Sequence, residues 1–70
     1  MNWREFIHVM KIDERAARAK YQAAAKAAKS RGIKEIFEKL AYEEDIHIGV
    51  LEQFEKDLKV LLTNEKRQKS

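Results

Sequence analysis

The chain has 70 residues, enough for one small domain whose hydrophobic core contributes little net stability without a partner. It contains no cysteine, which excludes disulfides, thiolate metal sites and cysteine nucleophiles, and its lack of proline, two glycines and 39% charged residues favour long helices over a sheet. The net charge of +3 is too small to indicate a nucleic-acid partner.

The first helix is predicted from about residue 2 to residue 29. Asn2 suits the N-cap position, and Glu5 follows three residues later, which is the spacing of a capping box. The segment Ser30-Arg31-Gly32 ends this helix, because Gly32 suits the left-handed residue that closes a helix. The turn is therefore predicted near Arg31.

The second helix is predicted from about residue 33 to residue 62, and residues 63–70 are predicted to form a frayed polar tail. A connection of about three residues makes the two helices antiparallel. The predicted fold class is all-α, with an antiparallel two-helix hairpin over residues 1–62. Gly49 lies inside the second helix, and a close contact between helices would explain it.

Apolar residues recur in alternating steps of four and three along both predicted helices, which indicates a buried seam. None of the seam positions is Lys or Arg, although these make up 15 of the 70 residues. Glu14, Glu44 and His47 are the polar members that interrupt the seam. The seam comprises Trp3, Ile7, Met10, Glu14, Ala17, Tyr21, Ala24 and Ala28 on helix 1, and Ile33, Phe37, Leu40, Glu44, His47, Leu51, Phe54, Leu58 and Leu61 on helix 2.

A second apolar stripe widens the hydrophobic surface of the second helix. Two helices in a hairpin cover only one face of each other, so the remaining apolar faces need a further copy of the chain. We expect a homodimer that forms a four-helix bundle, with higher homo-oligomers left open. The stripe comprises Ile36, Leu40, Glu43, His47, Val50 and Phe54.

The polar seam residues indicate a metal site. A carboxylate on an apolar seam loses hydration, and no Lys or Arg on the seam can pair with Glu14 or Glu44. His47 is a metal ligand when neutral, and Glu-x-x-His on a bundle helix is the ligand element of di-iron and di-manganese carboxylate proteins. With the turn near Arg31, Glu14 and Glu44 are predicted at heights that differ by about 6 Å.

The number of ligands adds a prediction about assembly. A dinuclear carboxylate site in a four-helix bundle takes a glutamate from each of two helices and a Glu-x-x-His from each of the other two. One chain supplies half of this set, as Glu14, Glu44 and His47. Two chains related by a two-fold axis would supply all of it, so the association that buries the apolar faces would also complete the site.

The segments 14–21 (ERAARAKY) and 36–47 (IFEKLAYEEDIH) resemble one helical hairpin of the rubrerythrin branch of the ferritin-like superfamily. The resemblance rests on a tyrosine seven residues after Glu14 and on a Glu-x-x-His that begins thirty residues after Glu14. A single hairpin is similar to half-size ferritin-like proteins, including encapsulated ferritins, which build a dinuclear ferroxidase centre between subunits. The resemblance implies that Glu14, Glu44 and His47 are the catalytic iron ligands, and that Tyr21 supports them from outside the ligand set.

The function implied is the oxidation of Fe(II) by dioxygen or peroxide, in iron storage or detoxification, with manganese or zinc as alternative metals. Peroxide reduction at the same centre and a non-catalytic helical oligomerisation module remain alternatives. The sequence has no Cys-x-x-Cys pair, and the additional carboxylate ligand of rubrerythrin would fall at Ala17; both favour iron oxidation over peroxide reduction. Glu43 is expected to flank the site and His8 to lie on the surface.

The sequence also gives expectations about cellular location and about further partners. The chain has no run of eighteen or more apolar residues, and Arg4 and Glu5 interrupt its start, so neither a membrane span nor a signal sequence is predicted. We expect a cytoplasmic protein, or one inside a protein compartment. The resemblance suggests an encapsulating shell as a partner, although Ala16 and Lys20 stand where encapsulated ferritins have acidic and aromatic residues.

Overall fold

The computed structural model describes residues 1–69 and contains two α-helices that form a hairpin. Helix α1 spans Trp3–Ala27 and helix α2 spans Arg31–Lys69. The hairpin is a rod of 57 × 17 × 16 Å. The predicted all-α class and hairpin are therefore confirmed. Over the described residues, neither helix has a stretch long and apolar enough to cross a bilayer.

The start of α1 is capped as predicted, but the turn is built differently. The Asn2 side chain accepts a hydrogen bond from the Glu5 N–H at 3.1 Å. At the turn, no described residue has a positive φ, so Gly32 is not a left-handed cap and lies in the first turn of α2. Ser30 caps α2 instead, because its carbonyl accepts from the Lys34 N–H at 3.0 Å and its Oγ from the Ile33 N–H at 3.4 Å.

The end of α2 also differs from the prediction. The helix continues through residues 63–69, which were predicted as a frayed tail, and residue 70 lies outside the described residues. No proline or glycine follows Gly49 to stop the helix, and Lys, Glu, Arg and Gln are good helix formers. Thr63 also donates its hydroxyl to the Lys59 carbonyl at 2.9 Å, one turn earlier.

The contact between the helices confirms the predicted seam on α1 and corrects it on α2. Every predicted seam residue of α1 is buried or half-buried. On α2, Ile33, His47 and Leu61 are 50%, 54% and 45% exposed, whereas Ala41 and Ile48 are 7% and 6% exposed. The apolar surface of α2 is wide enough for either of two stripes of residues to face α1. The stripe that contains Ala41 and Ile48 is the one that does.

The two long sides of the hairpin carry different chemistry. On one side, here called the charged flank, Lys11 pairs with Glu55 at 3.0 Å and Arg18 pairs with Asp45. On the opposite side, no lysine or arginine bridges the helices within the described residues. The side chains of this open flank are apolar except at Asp13, Lys20, Glu43 and His47. It comprises Phe6, Met10, Asp13, Ala17, Lys20 and Ala24 of α1, and Ile36, Leu40, Glu43, His47, Val50 and Phe54 of α2.

Candidate metal centre

Glu14 of α1 and Glu44 of α2 face each other across the hairpin. The turn residues are 28–30, so its centre is Lys29, and each glutamate lies 15 residues from Lys29. The predicted offset of about 6 Å is therefore wrong, because it assumed a turn centred near Arg31. Equal distances from the turn bring the two carboxylates to the same height.

His47 completes a cluster with these glutamates. It lies one helical turn after Glu44, and its Nδ1 is 3.5 Å from Oε2 of Glu14 and 3.5 Å from Oε2 of Glu44. One potential ligand atom from each of the three side chains lies within 4.8 Å of the others. The structure thus brings together the three residues that the sequence indicated as ligands.

The side chains of the cluster become more exposed towards the open flank. The side chains of Glu44 and Glu14 are 14% and 21% exposed, and that of His47 is 54% exposed. The glutamates lie between the helices, whereas the histidine stands at the edge of the open flank. A metal held by these three side chains would therefore be accessible from that flank.

One oxygen of the cluster lacks a partner. Oε2 of Glu44 is buried and accepts no hydrogen bond. Lys11 and Arg18 of α1 are paired with Glu55 and Asp45 on the charged flank, and Nδ1 of His47 lies 3.5 Å from this oxygen. A buried carboxylate oxygen without a donor or cation is costly, and a bound cation would remove this cost. Two carboxylates and an imidazole suit iron, manganese or zinc, so the residues present fit such a metal.

Tyr21 lies on the same seam as Glu14, two helical turns nearer the hairpin turn. Its ring stacks on that of Phe37, with centroids 6.2 Å apart and an interplanar angle of 30°. Among the described residues its hydroxyl forms no hydrogen bond, so the supporting role of Tyr21 stays a prediction. Ala17 contributes no ligand, and together with Tyr21 it lines an open groove beside α1.

The ion pairs of the charged flank were not predictable from the sequence. Lys11 and Glu55 are 44 residues apart in the sequence, and Arg18 and Asp45 are 27 apart. No local pattern links residues at such separations. The pairs matter for the site because they occupy the side of the hairpin away from His47 and leave the open flank as the side on which the cluster is exposed.

Comparison with known proteins adds one finding. A protein-family model described as Rubrerythrin matches residues 5–70. The match covers nearly all of both helices and includes Glu14, Tyr21, Glu44 and His47. Searches of curated proteins and of solved structures found no match.

Proposed function

Since the chain belongs to the rubrerythrin family, whose members generally bind iron, we propose that it binds iron and oxidises Fe(II) at a dinuclear centre shared by two copies. The observation that carries this proposal is the convergence of Glu14, Glu44 and His47 within 4.8 Å around a buried oxygen of Glu44 that accepts no hydrogen bond. The family match supports the metal, and the cluster supports the residues that hold it.

The need for two copies follows from the number of ligands. A dinuclear carboxylate centre in a four-helix bundle uses four glutamates and two histidines, whereas one hairpin offers two glutamates and one histidine. His47 stands at the edge of the open flank, where a second copy would add its own three residues. The exposed apolar side chains of that flank, such as Ile36 at 58% and Val50 at 63%, would be buried by the same association.

In this centre Fe(II) is the substrate. Two Fe(II) ions give up one electron each, and dioxygen takes up both electrons and two protons to become hydrogen peroxide. If peroxide is the oxidant, the same two electrons and two protons convert it to two waters. Glu14 and Glu44 hold the ions and balance their charge, which rises by one unit per ion on oxidation, and His47 supplies a neutral nitrogen ligand.

Metal content and oxidation test the proposal together. Protein purified from iron-supplemented medium should contain two irons per two chains, and apo protein mixed with Fe(II) should oxidise it faster than buffer alone. Protein without metal or oxidation would favour the non-catalytic oligomerisation module. Peroxide consumption that outpaces iron oxidation by dioxygen would favour peroxide reduction. Assembly beyond the dimer and enclosure in a shell stay predictions.

A further inference from the structure

Two cations of α1 lie beside the candidate metal centre. Side chains that are three or four residues apart on a helix are neighbours. Lys11 lies three residues before Glu14, and Arg18 lies four residues after it. No other lysine or arginine stands three or four residues from Glu14 or Glu44. Lys11 and Arg18 are therefore the two cations that the helices themselves bring next to the ligand carboxylates.

Both cations are engaged elsewhere in the structure. Nζ of Lys11 contacts Oε1 of Glu55 at 3.0 Å. Arg18 pairs with Asp45. Oε2 of Glu44 meanwhile is buried and accepts no hydrogen bond. Each cation thus reaches across the hairpin to a carboxylate outside the ligand cluster.

A lysine on the ligand carboxylates would compete with a metal ion. An ammonium group bound there would have to leave before the metal could bind. The apparent metal affinity falls in proportion to the fraction of molecules whose carboxylates are free. The partly desolvated space between the helices would strengthen the competing ion pair. A carboxylate that holds the cation elsewhere therefore keeps the site open.

The pair made by Lys11 is the more buried of the two. Its side chains are 13% and 36% exposed for Lys11 and Glu55. The corresponding values for Arg18 and Asp45 are 34% and 50%. Water screens exposed ion pairs, so the pair with Glu55 holds its cation more firmly.

We infer that Glu55 is a positioning residue of the metal centre. It holds the ammonium group of Lys11 away from the ligand carboxylates, so that these stay available to a metal ion. The inference rests on the proposed metal centre, and adds a residue outside the ligand set.

Zn(II) binding to the full chain, measured by titration calorimetry, tests this role independently of iron oxidation. Glu55→Ala removes the partner of Lys11, whose side chain then turns to Glu14, one turn along α1. The dissociation constant for Zn(II) should rise about tenfold, because a hydrogen-bonded ion pair must break before the metal binds. Alanine is the best helix former, so α2 is expected to keep its helix.

The double variant Lys11→Met/Glu55→Ala separates this role from a clamp between the helices. Methionine is a flexible apolar side chain without charge. Neither the single nor the double variant retains the ion pair, so a mere clamp would leave both equally weak in Zn(II) binding. Competition by Lys11 predicts instead that the double variant binds Zn(II) at least as tightly as the unaltered chain.

Glu52→Ala is the matched control for the loss of one negative charge. Glu52 is exposed on α2, lies three residues nearer the cluster than Glu55, and forms no ion pair with a described residue. Its removal should change the dissociation constant for Zn(II) by less than about twofold, because salt screens an exposed charge.

The outcomes separate the role of Glu55 from the centre itself. The positioning role would be overturned, and the centre left standing, if Glu55→Ala bound Zn(II) as tightly as the unaltered chain. The same holds if the double variant or Glu52→Ala bound as weakly as Glu55→Ala. Zn(II) binding that is unchanged in Glu44→Ala would overturn both.

Discussion

At Glu44, the carboxylate oxygen Oε2 is out of contact with solvent and accepts no hydrogen bond, although Nδ1 of His47 lies 3.5 Å from it. The buried side chains of the described residues are otherwise apolar: Ile7, Ala25, Ala41, Ile48 and Leu58. A hairpin with so small a core gains little from burying an acidic group, and loses free energy by leaving it unpaired. The proposed metal centre accounts for the position of Glu44, whereas stability does not.

Removing a ligand should therefore separate activity from folding. Glu44→Ala and His47→Ala are each expected to abolish Fe(II) oxidation while the far-ultraviolet circular dichroism stays helical, because neither side chain belongs to the apolar core. Glu52→Ala, at an exposed glutamate of α2, is the control and should oxidise Fe(II) as the unaltered chain does. Unchanged oxidation by both ligand variants would refute the proposed centre.

Gly49 is a second residue whose role can be tested alone. A Cβ added at this position would meet no atom within 4 Å, so the close helix contact suggested by the sequence is not found within the chain. Gly49→Ala is expected to raise the free energy of unfolding by about 1 kcal/mol, because alanine loses less backbone entropy in a helix. Denaturant unfolding measures this, and a loss of stability would show that another copy contacts Gly49.

At the scale of the elements, the turn decides whether the ligands meet. A connection of residues 28–30 sets Glu14 and Glu44 at one height, and Ser30 defines where α2 begins. In the sequence, Gly32 predicted a left-handed residue at the turn. The structure instead uses Ser30 as the N-cap of α2, three residues before Ile33, and no described residue is left-handed.

We expect Ser30→Ala to lower the free energy of unfolding by about 1 kcal/mol, because the N–H of Ile33 loses its acceptor. Ser30→Asp keeps an acceptor at the N-cap and is the matched control, with stability close to that of the unaltered chain. Thermal unfolding of the two variants side by side measures the difference. Equal stability of both variants would mean that the Ser30 side chain does not cap α2.

For the whole molecule, the proposed two-chain centre would couple stability to metal binding. In the proposed centre each hairpin supplies half of the ligand set, and Phe6, Ile36 and Val50 are exposed apolar side chains of the same open flank. Association would bury the surface and complete the set in one step. Without metal, the four glutamates of a dimer would repel one another in a partly desolvated space, which weakens the apo interface.

Metal should therefore stabilise both the fold and the dimer. Adding Fe(II), or Zn(II) as a redox-inert substitute, is expected to raise the melting temperature and shift sedimentation towards dimers, since a ligand that binds only the associated state stabilises it by mass action. Glu14→Ala should lose most of this response, while its apo form is at least as stable as the apo unaltered chain. Identical melting and association with and without metal would contradict a shared site.

Much of the element-scale structure could be predicted because it depends on local patterns. The N-cap at Asn2 and the seam of α1 follow from residues within a few positions of one another. The end of α2 was predicted too early, because the polar residues after Leu62 read as a tail although they are also good helix formers. Composition alone does not distinguish a polar tail from the polar end of a helix.

The sequence by itself determined the helical class, the hairpin, the family resemblance and the three residues that converge, since composition and periodicity are written along the chain. Only the tertiary structure decided which stripe of α2 faces α1, and which side of the hairpin is charged. Ala41 and Ile48 face α1 while His47 stands at the edge, because α2 is apolar over more of its circumference than one neighbouring helix can cover. That choice depends on contacts between residues far apart in the sequence, and it leaves His47 exposed on the open flank.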